Sequence, residues 1–139
     1  MASTLERLLK NSIFALANAD TTLWASIGGR FYYKKAISGS AKPYILYGGG
    51  ATSQRNTMGL SSPAATDIPL YFDIYSDLET STESETIQGY IHDVFDSASI
   101  VLTGYSAMDL RRGPEVALYE EDTGLWHISI TYYGIGAAS

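Results

Sequence analysis

The stretch "DIPLYFDIYSD", Asp67–Asp77, is where the fold of this chain is most plainly written. Ile68, Leu70, Phe72 and Ile74 alternate with Pro69, Tyr71, Asp73 and Tyr75. Successive side chains of a strand point to opposite faces, so this period of two predicts a strand with one apolar face and one face of tyrosine and aspartate. Such a strand belongs inside a sheet that is covered on one side only.

The same alternation returns near the C-terminus. In "LWHISITYYGI", Trp126, Ile128, Ile130 and Tyr132 fall on the core side, with His127, Ser129, Thr131 and Tyr133 opposite. "EDTG" joins this segment to "EVALYEE" and reads as the glycine-ended turn of a hairpin. "PYILYGG" is strand-like by its β-branched and aromatic content. "RFYYKKA" reads as an edge strand, with Lys34 and Lys35 guarding it against stray pairing.

Two segments carry a helical period instead. Leu5, Leu8, Leu9, Ile13, Leu16 and Ala17 form one stripe, with Arg7, Lys10 and Asn11 on the other side. Ser3 and Glu6 make a capping box ahead of it, and a helix is predicted from Thr4 to Ala19, broken by "NAD" and "TT". Ile87, Tyr90, Ile91, Val94, Phe95 and Ala98 form the second stripe, on a helix predicted from Ser81 to Ser97. Thr80 with Glu83, or Thr82 with Glu85, offers it a capping box. The fold class is therefore α+β: a mainly antiparallel sheet with two amphipathic helices on one face, a long loop and a C-terminal hairpin. A chain of 139 residues fits one domain over residues 1–139.

The long loop is "GGGATSQRNTMGLSSPAATD", residues 48–67, which has no period and every loop-forming residue type. It is expected to be mobile or to order on assembly. Its three glycines follow a strand, where backbone N–H groups could cradle a phosphate. A Walker-type loop would continue to Gly-Lys-Ser/Thr and a helix, whereas this chain continues "ATSQRN". The glycines are read as a strand end, and no cofactor is expected.

Composition narrows the function further. Net charge is −6 and only 17% of residues are charged, which argues against sequence-specific DNA binding. An acidic lining that lets DNA slide past without sticking is compatible with that balance. Eleven tyrosines on a lightly charged surface point to partial cover by other subunits. The absence of cysteine removes disulfides, thiolate metal sites and cysteine nucleophiles. Glu6, Arg7 and Lys10 interrupt the N-terminal apolar pattern, so it is not read as a signal peptide. No apolar run approaches the roughly 20 residues of a membrane span, and a soluble protein without membrane contact is expected.

Few residues are candidates for chemistry. His92 and Asp96 stand four apart on the second helix, too few for a metal site, and with Gln88 they are read as solvated surface. His127 is read as polar sheet surface, since no Gly-x-Ser-x-Gly turn presents a serine to it. Glu83 and Glu85 sit where a helix dipole favours carboxylates. Arg111 and Arg112 form the only adjacent arginine pair, suited either to carboxylates across an interface or to plain exposure at a strand end.

The order of "GGRFYY", "KPYILYGG", an irregular loop, "PLYFDIYSD", "TSTE", "IQGYIHDVFDS" and "LWHISITYYG" resembles the small tail-completion or tail-terminator proteins of long-tailed bacteriophages and related gene transfer particles. The resemblance runs from about Leu5 to Tyr133 and includes no catalytic signature. It implies a structural virion protein, not an enzyme, of the siphovirus kind. Such a subunit assembles in the bacterial host cytoplasm as a homohexameric ring at the head–tail junction. It caps the major tail-tube protein, stops its polymerisation and offers a surface to the head connector, while DNA passes without specific binding. On that reading Tyr71, Asp73, Tyr75, Arg111 and Arg112 join subunits. The loop residues Gly49, Gln54, Arg55, Asn56, Met58 and Leu60 reach the tube or connector. A head-side connector or stopper is the near alternative. A small ligand-binding module or enzyme using His92 or His127 is the distant one.

Overall fold

The computed structural model describes residues 3–36, 39–49, 53–55, 65–78, 80–96, 98–100 and 108–136. Helix α1 (Ser3–Ala19) is followed by α2 (Thr21–Ser26), β1 (Phe31–Tyr33), β2 (Tyr44–Gly49), β3 (Ser53–Arg55) and β4 (Ala65–Ser76). Then come α3 (Thr82–Phe95), β5 (Ser99–Ile100), β6 (Met108–Asp109), β7 (Arg111–Glu120) and β8 (Leu125–Gly136). The main sheet runs β1-β2-β4-β8-β7, with β3 pairing to β4 beyond that path. It is antiparallel apart from β1 and β2, which run parallel. The α+β class read from the sequence is the one observed.

One register row explains the core. Phe31, Ile45, Ile74, Ile128 and Ala117 align across the sheet, and the next inward row brings Tyr47, Phe72 and Ile130 together. Against these rows α1 lays Leu9, Ile13 and Ala17, and α3 lays Ile87, Ile91 and Phe95, each set spaced by four residues. Phe72 sits at the middle, with its ring 4.6 Å from that of Phe95 and 6.0 Å from that of Tyr132. Burying a large apolar side chain contributes about 1.5–3 kcal/mol, so these positions dominate stability.

Three details depart from the sequence reading. The residues read as a helix break form α2, because the Asp20 carboxylate accepts from the Leu23 N–H at 2.9 Å and caps a new turn. Gly48 and Gly49 end β2, as read, and are paired there with Tyr71 and Leu70. The supposed structureless loop contains β3, whose residues Ser53–Arg55 pair with Ala65–Asp67 and lengthen β4 into a hairpin arm. Neither capping box of α3 forms. Ser81 is the N-cap without a side-chain cap bond, and its hydroxyl donates instead to Glu85 at 2.7 Å. The hairpin turn at 121–124 is as expected, with Gly124 at φ 71°, a left-handed conformation that glycine adopts at little cost.

Candidate assembly surface

The helices cover one face of the sheet; among the described residues the other face carries none. Alternation along β4 and β8 places Tyr71, Asp73 and Tyr75 there beside His127, Ser129, Thr131 and Tyr133. A continuous row of rings crosses this face. Tyr32 lies 6.1 Å from Tyr44, Tyr44 lies 5.2 Å from Tyr75, and Tyr75 stacks on His127 at 4.4 Å. Four strands thus contribute one aromatic each, which stiffens the face through cross-strand contacts. Tyr71, Val116, Leu118 and Tyr133 stand exposed around the row.

His127 is the polar centre of this surface. Its Nε2 is 2.9 Å from Asp73 Oδ1 and its Nδ1 is 3.2 Å from Glu120 Oε2. The same carboxylates act on the neighbouring phenols. Burial, then Asp73, Glu120 and Tyr44, push the Tyr75 hydroxyl up to about 12. Burial, then Glu120 and Tyr32, raise Tyr44 as well. The row therefore presents neutral phenols, able both to donate and to accept, beside fixed carboxylates.

The helix side of β7 is organised by a bulge. Arg112 pairs with Tyr132 and Glu115 with Ile130, so Gly113 and Pro114 add one residue to β7 and break the register. The extra residue turns both Arg112 and Glu115 to the helix face, which an unbroken strand could not do. A Cβ at Gly113 would meet the exposed Tyr133 ring at 2.5 Å and the Thr131 carbonyl at 3.2 Å, so a larger residue there must displace that ring. Gln88 donates to Glu115 Oε1 at 3.3 Å, and His92 Nε2 contacts the same oxygen. Arg112 Nε donates to Asp96 Oδ1 at 3.1 Å, its Nη2 contacts Oδ2, and Tyr132 donates to Oδ1 at 2.7 Å. Arg112 first and Tyr132 after it hold the Asp96 carboxyl below the ordinary carboxylate range. The Tyr132 phenol is raised by burial and by Asp96. Gln88 and His92 are thus half-buried rather than on the solvated face read from the sequence; Asp96 stays exposed, and the three are half of a polar seam that fastens β7 to α3.

The sequence candidates separate accordingly. Tyr71, Asp73 and Tyr75 share the helix-free face, and Arg111 pairs there with Tyr133. Arg112 points the other way and is engaged by Asp96. Of the loop set, Gly49 closes β2 and Gln54 and Arg55 belong to β3, while Asn56, Met58 and Leu60 lie outside the described residues. His92 and His127 lie on opposite faces, and among the described residues neither meets a serine hydroxyl. Among those residues no three acidic or histidine side chains are placed to hold a metal, and no helix is long and apolar enough to cross a membrane. Sequence reasoning missed Glu115 and Glu120 as the partners of the two histidines. The Gly-Pro pair inside an edge strand was the signal for the bulge behind the first.

Comparison with known proteins gives two findings. The family model described as "Tail completion protein gp17" matches residues 11–133. A chain solved in the "Virion of native gene transfer agent (GTA) particle" has the same fold, with a TM-score of 0.78 and 15% sequence identity, covering 94% of this chain and 96% of that one. A search of curated protein sequences finds no match.

Proposed function

Because this chain belongs to the tail completion protein gp17 family, a family of structural virion proteins and not of enzymes, we propose that it caps the tail tube. Copies form a sixfold ring at the head–tail junction, assembled in the host cytoplasm. One ring face matches the docking surface of the tube protein and the other does not, so polymerisation stops there and the head connector gains its seat. DNA passes through the ring without specific binding, in keeping with a net charge of −6.

The observation that carries this reading is the sheet face left without helices, with its row of tyrosines and exposed Tyr71 and Tyr133. Aromatic surface with little charge is what subunit contacts are made from. Tyr71, Asp73, Tyr75 and Arg111 serve subunit contact from that face, and Arg112 serves it by holding β7 in place. The arm built from β3 and the start of β4, with the loop it leads into, reaches the tube or connector.

Electron microscopy of lysates from the parent phage with this gene removed tests the reading. Overlong tails without heads are the expected result. Tails of normal length beside unattached, filled heads would move the protein to the connector side. Normal particles would remove the proposal.

A further inference from the structure

The β1 border and the hairpin end of the β7 border carry opposite charge. Residues 30–42, which form β1 and its return to β2, contain Arg30, Lys34, Lys35 and Lys42 and no acid. Residues 115–122, the end of β7 and its turn, contain Glu115, Glu120, Glu121 and Asp122 and no cation. β1 and β7 are the terminal strands of the five-strand path, so these groups stand at opposite ends of one molecule. Each border also exposes apolar surface. Phe14, packed edge-on against Trp24 at 5.4 Å, lies beside β1; Val116, Leu118 and Tyr119 line β7.

Two of the outward backbone groups of β1 are already taken. The Phe31 N–H is taken by the Gly29 carbonyl at 3.0 Å, and the Tyr33 carbonyl by the Lys35 N–H at 2.7 Å. This leaves side chains as the main means of docking there. Lys35 is exposed, and among the described residues neither Lys35 nor Lys42 has an ion-pair partner. Glu121 and Asp122 at the other border are exposed and equally unpaired among the described residues.

We infer that the occupant of the basic border is the acidic hairpin of a second copy of this chain, with Tyr119 beside Phe14 and Trp24 and the charges around them. An apolar centre within a charged rim is the ordinary anatomy of a specific contact. The contact is head-to-tail: each copy offers its acidic hairpin forward and its basic border backward, which closes into a ring when the rotation allows. Opposite charge sets which edges meet, and like charge rejects edge pairs of the wrong kind. This contact presupposes the ring proposed above and adds the two sheet borders to the helix-free face that joins subunits there.

Reciprocal charge reversal tests it. A phage lacking the gene is complemented with Lys35→Glu/Lys42→Glu, with Glu121→Lys/Asp122→Lys, or with both variants together. Each alone sets like charges against each other at the reversed positions and leaves the altered border with two charges of each sign, and is expected to lower particle yield more than about tenfold. Together they pair alternately, acidic hairpin to unaltered lysines and basic hairpin to introduced glutamates, and yield returns to within about threefold of wild type. A misfolded chain could not be rescued by another misfolded chain. Wild-type yield from either variant alone, or no gain on mixing, overturns the contact; a defect confined to the lysine variant does so in favour of a different acidic partner. Rescue reports contact between copies wherever they sit in the virion. Failure of rescue with overlong tails in the gene-less lysate thus removes this contact alone. Normal tails in that lysate remove the ring reading.

Discussion

Replacing Tyr132 by phenylalanine should weaken the seam between β7 and α3 in a pH-dependent way. Tyr132 is fully buried, and its hydroxyl donates to Asp96 Oδ1 at 2.7 Å. A hydrogen bond to a charged group contributes about 1.5–3 kcal/mol. Asp96 is 38% exposed, so water can replace the lost donor and the low end applies. The change removes the donor along with its bond, leaving no buried orphan. We therefore expect a loss of about 1–1.5 kcal/mol at pH 7. For 139 residues the unfolding entropy is about 0.3 kcal/mol/K, which makes the loss a fall of about 3–5 °C in Tm. The carboxyl of Asp96 is held below its ordinary value of 3.8, so its contribution is complete above that pH and is lost as pH falls through the folded value. The gap between variant and wild type should thus be full at pH 7 and should narrow progressively below pH 3.8. Urea unfolding of the monomer, followed by circular dichroism at both ends of that range, measures it. A gap that stays constant, or one under about 0.3 kcal/mol at pH 7, would refute the argument.

Two further outcomes follow from the same geometry. Glu115→Ala removes the acceptor shared by Gln88 and His92, so amide exchange along β7 should quicken by about tenfold while the Phe72 region is unchanged; equal acceleration in both would mean that the seam does not hold β7 separately. Tyr47 is buried, with its phenol pushed up to about 12 by burial and then by Tyr33, from an ordinary value of 10.0. Its contribution is complete below pH 10 and lost as pH rises toward 12, about 3 kcal/mol in all; stability unchanged between pH 9.5 and 11.5 by urea midpoint would contradict it.

What could be read from the sequence was whatever a period of two or four makes visible. The alternation through Asp67–Asp77 and through Trp126–Tyr133 gave the central strands and both faces correctly, because one face of each strand is buried and the other is not. Ile87, Ile91 and Phe95 identified α3 for the same reason. The misses share a cause as well. β3 is a three-residue polar segment, Ser53–Arg55, too short and too polar for an apolar period to reveal it. α2 has six residues, too few for a stripe, and its cap Asp20 doubles as the end of α1. His92 and Asp96 lie opposite the apolar stripe of α3, which ordinarily means solvent. Their partners came from a strand whose facing is decided by one inserted residue.

That inserted residue links the two sides of β7. In a regular strand Arg112 and Glu115 would face opposite ways, and one of them would leave the seam. The bulge brings both to α3, so the last strand of the sheet is held from beneath by two charged groups of its own. An edge strand anchored in this way does not need a neighbouring strand to keep its shape. Its outer residues Val116 and Leu118, and the acidic turn beyond Glu120, can then be presented rigidly. A subunit contact made from pre-ordered parts loses less conformational entropy on forming. Gly113, which lies in the bulge, thereby belongs with the assembly surface.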